Sequence, residues 1–223
     1  GSYNSAFGYQ ALTSVTTGTS NTAVGVNALG NNTTGGANTA VGNGAGPTMS
    51  NYNNTTALGN GAAPSASDQV RVGNAAVTSI GGFQNWTNVS DARFKKDITE
   101  SVPGLAFINK LRPVTYHLDM ENIANYLHTP EQVRDRKAEA VKGSMLQTGF
   151  IAQEVEQAAR QTGFDFSGVD APKNDNDFYG LRYAEFTVPL VKAVQELSAK
   201  NEQQQQLIDS LLKRIEALEN QAK

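Results

Sequence analysis

The sequence predicts a mixed fold: a β-solenoid or β-roll of 17-residue repeats, then an α+β region, then a coiled-coil helix. Three observations carry this expectation. Ala6, Ala23, Ala40 and Ala57 recur every 17 residues, as do Gly8, Gly25, Gly42 and Gly59, and Ala11, Ala28, Ala45 and Ala62. Of the chain's 18 Lys and Arg and 21 Asp and Glu, residues 1–89 hold only Arg71 and Asp68, so the composition changes abruptly near residue 90. From Leu190 onward, apolar positions fall at alternating steps of four and three.

The repeat unit reads roughly N-[ST]-A-[FVL]-G-x-x-A, with Phe7, Val24, Val41 and Leu58 in its bulky slot. A period of 17 is too short for a helix pair and suits one rung of a solenoid. Alternation in Ala-Val-Gly puts the bulky residue on one face and the small ones on the other. Asn-rich and Gly-rich stretches such as 30–32 and 34–36 are expected to supply the corners. The stretch Val70 to Ala76 reads as a terminal rung that breaks the spacing, because Gly73 follows Gly59 by 14 residues. Val77 to Phe83 reads as a last strand plus turn, and Gln84 to Val89 as an extended tether.

Behind the seam, Ser101 to Gly104 opens a helix that runs to Lys110 and stops before Pro113. Val114 to Leu118 alternates as a strand. Residues 121–142 form a charged helical excursion broken near Pro130, and Ile151 to Gln161 a helix closed by Gly163. The acid-rich stretch Asp165 to Asp177 lacks the ligand spacing of a calcium loop and reads as a solvated loop. The final seam is Leu190, Val194, Leu197, Asn201, Gln204, Ile208, Leu211, Ile215 and Leu218, about four heptads with two polar layers. Phe186 to Leu197 can pack on its own domain; beyond Asn201 the apolar positions call for other copies of the chain. These readings divide the chain into a repeat segment (1–76), a tether (77–89), an α+β domain (90–188) and a coiled coil (189–223).

Composition excludes several functions. There is no cysteine, hence no disulfide scaffold and no thiolate metal site, and the net charge of −3 leaves no basic stripe for nucleic acid. No apolar run approaches the roughly 18 residues of a membrane span. No metal or cofactor is expected. Tyr3, Tyr9 and Tyr52 could stack on a surface glycan, but roles as packing residues or isolated surface aromatics are favoured for them.

The seam itself, Ser90-Asp91-Ala92-Arg93-Phe94-Lys95-Lys96-Asp97-Ile98, sets a hydroxyl, a carboxylate, a guanidinium and an amine within six residues. Serine with a nearby lysine is one way to build a nucleophile without histidine, but the same pattern also starts a turn, with Ser90 or Asp91 as its cap. This stretch, together with Leu111-Arg112-Pro113-Val114-Thr115-Tyr116, Gly149-Phe150-Ile151-Ala152-Gln153-Glu154-Val155 and Tyr183 through Gln195-Glu196-Leu197, resembles the self-cleaving C-terminal intramolecular chaperones of phage endosialidases, tailspikes and tail fibres. The repeats resemble those in the heads and stalks of trimeric bacterial surface adhesins and fibres.

The resemblance implies a homotrimer on an extracellular fibre of a phage particle or bacterial surface, with a trimeric coiled coil and a trimeric shaft. It further implies that Ser90 is the nucleophile and Lys95 the general base of a single-turnover cleavage at Val89–Ser90, with no action on other substrates. Asp91 and Arg93 would then be supporting residues: Asp91 structural, and Arg93 or Lys96 a positive charge beside Lys95. The alternative reading is a receptor- or glycan-binding adhesin tip whose chaperone domain stays on as an uncleaved scaffold.

Overall fold

The computed structural model describes residues 1–221; the last two positions of the expected coiled coil, 222 and 223, lie outside the described residues. The chain forms two compact units, each assembled from separate stretches. One combines Gly1–Thr87, Thr115–Gly149 and Ala171–Phe178; the other takes Asn88–Val114, Phe150–Asp170 and the chain from Tyr179 on.

The first unit is built around a parallel β-solenoid. Strands β1 (Ser5–Phe7), β2 (Thr22–Val24), β3 (Thr39–Val41), β4 (Thr56–Leu58) and β5 (Val70–Val72) stack in chain order. Equivalent residues of successive repeats face one another, Ala6 on Ala23, Ala23 on Ala40 and Ala40 on Ala57. Rung-to-rung bonds continue around the coil, for instance from Leu12 N to Ala28 O and from Thr33 N to Ser50 O. The final rung is shorter, and Val70 pairs with Thr56, which matches the 14-residue step in the sequence. Residues 77–83 form no strand, contrary to the sequence expectation. They are exposed, and Gly81 and Gly82 have no neighbour against which a rung could form.

The repeat's alternation places the small residue inward. Ala23, Ala40 and Ala57 are fully buried, with Ala28, Ala45, Ala62, Leu12 and Leu29 beside them. Phe7, Val24, Val41, Leu58 and Val72, registered one above another, are all exposed. A column of glycines lets the rungs approach: at Gly25, with φ of 129°, a Cβ would come within 2.6 Å of the Gly42 carbonyl oxygen. The asparagine of the repeat is a core residue. Asn21 Oδ1 accepts from Asn38 N at 3.0 Å; Asn38 Oδ1 accepts from Thr55 N and Thr55 Oγ1, and Asn38 Nδ2 donates to Tyr52 O. The ladder satisfies backbone groups that the tight corners leave unpaired.

After the short helix α1 (Leu105–Ile108), strand β6 (Val114–Tyr116) pairs with β7 (Gln147–Gly149), and two helices lie between them in the chain. Helices α2 (Met120–Tyr126) and α3 (Arg136–Ser144) are capped by Asp119 and Asp135, as expected for a charged excursion interrupted at Pro130. Arg134, whose side chain is 4% exposed, reaches Glu139 at 2.6 Å and Glu121 at 3.1 Å. Arg134 and Arg136 together hold the Glu121 carboxyl down to about 2. The loop Ala171–Phe178 folds against the end of the solenoid. Its Asp177 is buried, whereas the sequence pointed to a solvated loop; Ser65 and Gln69 supply the hydrogen bonds that make this burial tolerable.

The second unit has an aromatic core. Helix α4 (Ala152–Gln161) turns Val155, Ala158 and Ala159 toward Phe107, Phe166 and Phe186. It ends at Gly163, with φ of 64°. A small antiparallel pair, β8 (Val169–Asp170) and β9 (Gly180–Leu181), leads to the 35-residue helix α5 (Thr187–Gln221). Helix α1 lies on α5 closely enough that a Cβ on Gly104 would come within 2.7 Å of Ala193 N, and Leu105 N donates to Glu196 Oε2. Only Pro189 and Ala193 of α5 are buried. The heptad positions Leu190, Val194, Leu197, Ile208, Leu211, Ile215 and Leu218 are each at least 46% exposed, and Asn201 and Gln204 are exposed with them.

The ladder gives a direct test. Asn38→Ala leaves the buried Thr55 N–H and Tyr52 carbonyl without partners, and should cost about 3 kcal/mol. Urea unfolding followed by circular dichroism should show a lower midpoint with an unchanged slope.

Candidate functional site

Ser90 follows an exposed, irregular stretch, and Val89 before it is 82% exposed. The chain then makes a single 3-10 turn, Ala92–Phe94, for a local reason. Asp91 has extended backbone and accepts from Arg93 N at 2.9 Å, which is the N-cap geometry. Phe94 N and Lys95 N close the turn onto Asp91 O and Ala92 O. This brings Lys95 back over Ser90, and Lys95 Nζ donates to Ser90 Oγ at 2.8 Å. Both side chains are exposed.

The neighbouring charges are paired with each other. Arg93 Nε donates to both oxygens of Asp91 at 3.1 Å, and the second guanidinium nitrogen reaches Oδ2 at 2.7 Å. The guanidinium also lies over the Phe94 ring, 5.8 Å from its centroid. The hydrogen bonds from the Arg93 side chain, and then from its backbone, hold the Asp91 carboxyl below its ordinary value. Arg93 thus engages Asp91 and braces the turn, and the carboxylate beside Ser90 is neutralised by Arg93. Sequence reasoning placed Ser90, Lys95, Asp91 and Arg93 in one short stretch but had no means of pairing them. The capping serine or aspartate was the available signal, and Asp91 is the cap.

Parts of the other sequence blocks that carry the resemblance meet around the aromatic core of the same unit. Arg112 forks onto Glu154, at 2.5 and 3.0 Å, joining the Leu111–Tyr116 stretch to the helix that begins after Ile151. Phe150 stacks with Tyr183 and Phe186, and Phe150 N donates to the Tyr183 hydroxyl. No group of His, Asp or Glu side chains suited to a metal ion occurs among the described residues.

Residues 90–164 match the family described as chaperone of endosialidase, and the match begins at Ser90. No curated protein and no solved structure matches the chain.

The Asp91 contact has a pH signature. Its folded carboxyl titrates below the unfolded value, so the contact supports the turn above the ordinary carboxylate range and is lost as acid protonates it. NMR titration should place the Asp91 midpoint below that of a free aspartate. In Arg93→Ala the midpoint should move up toward the free value.

Proposed function

We propose, from a match to the endosialidase chaperone family that starts at Ser90, that this chain is the end segment of an extracellular trimeric fibre. In this reading residues 90–223 are an intramolecular chaperone that assembles the β-solenoid ahead of it and then severs itself at Val89–Ser90. The observation that carries the cleavage is the 2.8 Å contact between Lys95 Nζ and Ser90 Oγ, within reach for proton transfer.

The chemistry balances without a cofactor. Ser90 Oγ attacks the Val89 carbonyl carbon while the uncharged Lys95 amine takes the hydroxyl proton. The Val89–Ser90 C–N bond breaks, and Lys95 returns the proton to the departing Ser90 nitrogen. The product is an ester between Val89 and Ser90 Oγ. The Ser90 amine is freed in that shift; water then hydrolyses the ester, leaving a Val89 carboxylate and restoring the Ser90 hydroxyl. The attack closes a five-membered ring, so reacting groups are already near one another before any catalyst acts. The Asp91–Arg93 fork holds the turn that sets the Ser90–Lys95 spacing.

Assembly with two further copies is supported by what the chain leaves uncovered. Seven apolar heptad positions of α5 face solvent in a single chain, and so does the apolar column on the solenoid from Phe7 to Val72. Three helices packed along the α5 seam would cover the first set, with Asn201 and Gln204 as polar layers that fix register. Three solenoids sharing the second set would supply the large side chains missing from the interior of each. No described helix is long and apolar enough to cross a membrane, so α5 is read as a coil and not as an anchor.

Denaturing gels provide the test. The wild-type chain should split with time, while Ser90→Ala and Lys95→Ala should persist as a single band near 23.7 kDa. A wild-type chain that stays whole after folding, or a Ser90→Ala chain that splits at the same bond, contradicts the mechanism.

A further inference from the structure

We propose that the two pieces stay joined after the Val89–Ser90 bond is cut, held by a latch in which the loop Ala171–Phe178 grips the turn Ser65–Gln69 through the buried carboxylate of Asp177. The proposal rests on the self-cleavage reading for the cut, but its contacts are independent of that chemistry.

The latch has two prepared sides. On the solenoid, Gln69 Oε1 accepts from Ser65 N at 2.9 Å and Ala66 N at 3.2 Å, so the turn is closed by its own side chain. That fixes Gln69 Nε2 facing outward, 3.4 Å from both Asp177 oxygens. Ser65 Oγ donates to Asp177 Oδ1 at 2.6 Å. On the loop, Lys173 N donates to Asp177 Oδ2 at 3.1 Å, and Lys173 Nζ lies 3.9 Å from the same oxygen. The Tyr126 hydroxyl donates to the Asp177 carbonyl at 2.8 Å, bracing the loop from α2. Ser65, Gln69 and Asp177 are all buried. Burial alone would push the Asp177 carboxyl up; the hydrogen bonds from Ser65, from the backbone of Lys173 and Phe178, and from Gln69 outweigh it and hold it below its ordinary value.

Further contacts flank the carboxylate. Asn174 Nδ2 donates to Ser65 O at 3.1 Å, and the Tyr52 hydroxyl donates to Asn174 Oδ1 at 3.2 Å. Arg71 on the last strand lies over the Phe178 ring, 5.3 Å from its centroid, and its Nε is buried with no hydrogen-bond partner. A cation on an aromatic face is the environment that makes this burial tolerable. Asn60 Nδ2 donates to Val133 O at 3.0 Å on the preceding rung. In each of these pairs one residue lies before the tether and the other lies after Ser90. None uses the bond between Val89 and Ser90, and the tether itself is exposed and irregular. Cutting the tether therefore removes a covalent link and leaves every latch contact in place. Release would require exposing a carboxylate together with the serine and amide buried against it, and lifting the Phe178 ring off Arg71, all at once.

The experiment is native size-exclusion chromatography of the cut full-length protein, with each fraction resolved on a denaturing gel. Wild-type pieces should co-elute. Asp177→Ala pieces should separate, and Ser65→Ala pieces should part roughly ten- to hundredfold faster than wild type on dilution of the cut protein. A second version carrying a foreign protease recognition sequence at residues 84–88 is cut by that protease, so retention is read even where self-cleavage fails. Wild-type pieces that elute apart, by either cut, overturn the latch. Asp177→Ala pieces that remain together as long as wild type overturn it equally. If Asp177→Ala does not fold, Ser65→Ala decides, and an unchanged separation rate counts against the proposal.

Discussion

The solenoid's interior is too narrow for large side chains, and the rest of the molecule answers to that constraint. The inner turns bury alanines with Asn21, Asn38 and Thr55, and Leu12 and Leu29 are the large apolar residues buried in the cluster. A buried methylene is worth about 0.8 kcal/mol. Fixing the backbone of one residue costs roughly 1–2 kcal/mol. Alanine methyls alone are therefore outweighed by the order a 17-residue turn demands, and the rung-to-rung hydrogen bonds and asparagine ladder have to carry much of the remainder. The apolar side chains that would ordinarily sit inside, Phe7, Val24, Val41, Leu58 and Val72, point outward instead. A shaft of this kind gains from neighbours that cover its outer column and from contacts that hold its last turn.

Those contacts come from the other side of the seam. The compact unit that contains the solenoid includes residues 115–149 and 171–178, so part of the charged half folds with the uncharged half. Its polar groups are arranged to meet the turn ends: the Asp177 side chain at Ser65 and Gln69, the Asn174 side chain at Tyr52, and the Val133 carbonyl at Asn60. A parallel stack with an open last rung would leave backbone donors and acceptors free for unwanted pairing. The loop at the terminal rung limits that exposure. Under the proposed function, the tail that would bring copies together and the segments that hold the shaft belong to one chaperone, and a cut at Val89–Ser90 would change their covalent link without disturbing those contacts.

Much of this was legible in the sequence because repetition is the strongest signal a single chain offers. Four copies of an alanine and a glycine at a 17-residue step determine the stacking register, and the shortened step at Gly73 foretells the shorter final rung. The heptad steps beyond Leu190 likewise mark the exposed seam of α5. What escaped was the role of the repeat's asparagines. In the sequence Asn21 and Asn38 are only the leading letter of the repeat unit, and the stack shows that each reaches the backbone of the next turn. Asp177 escaped for a related reason. A run of acids near glycine and proline reads as a solvated loop, and its partners Ser65 and Gln69 lie more than a hundred residues away. The strand expected over 77–83 failed because a strand at the end of a stack needs a partner, and these residues have none. At the seam, residue types suggested the serine and lysine, while the turn capped by Asp91 is what brings their atoms together.

The central claim is that three copies share these uncovered faces, and the mass of the assembled chain measures it most directly. Light scattering on the uncut Ser90→Ala protein, eluted at micromolar concentration, should give three times 23.7 kDa across the whole peak. A monodisperse peak at the single-chain mass, from protein that retains its β-structure, would contradict the account.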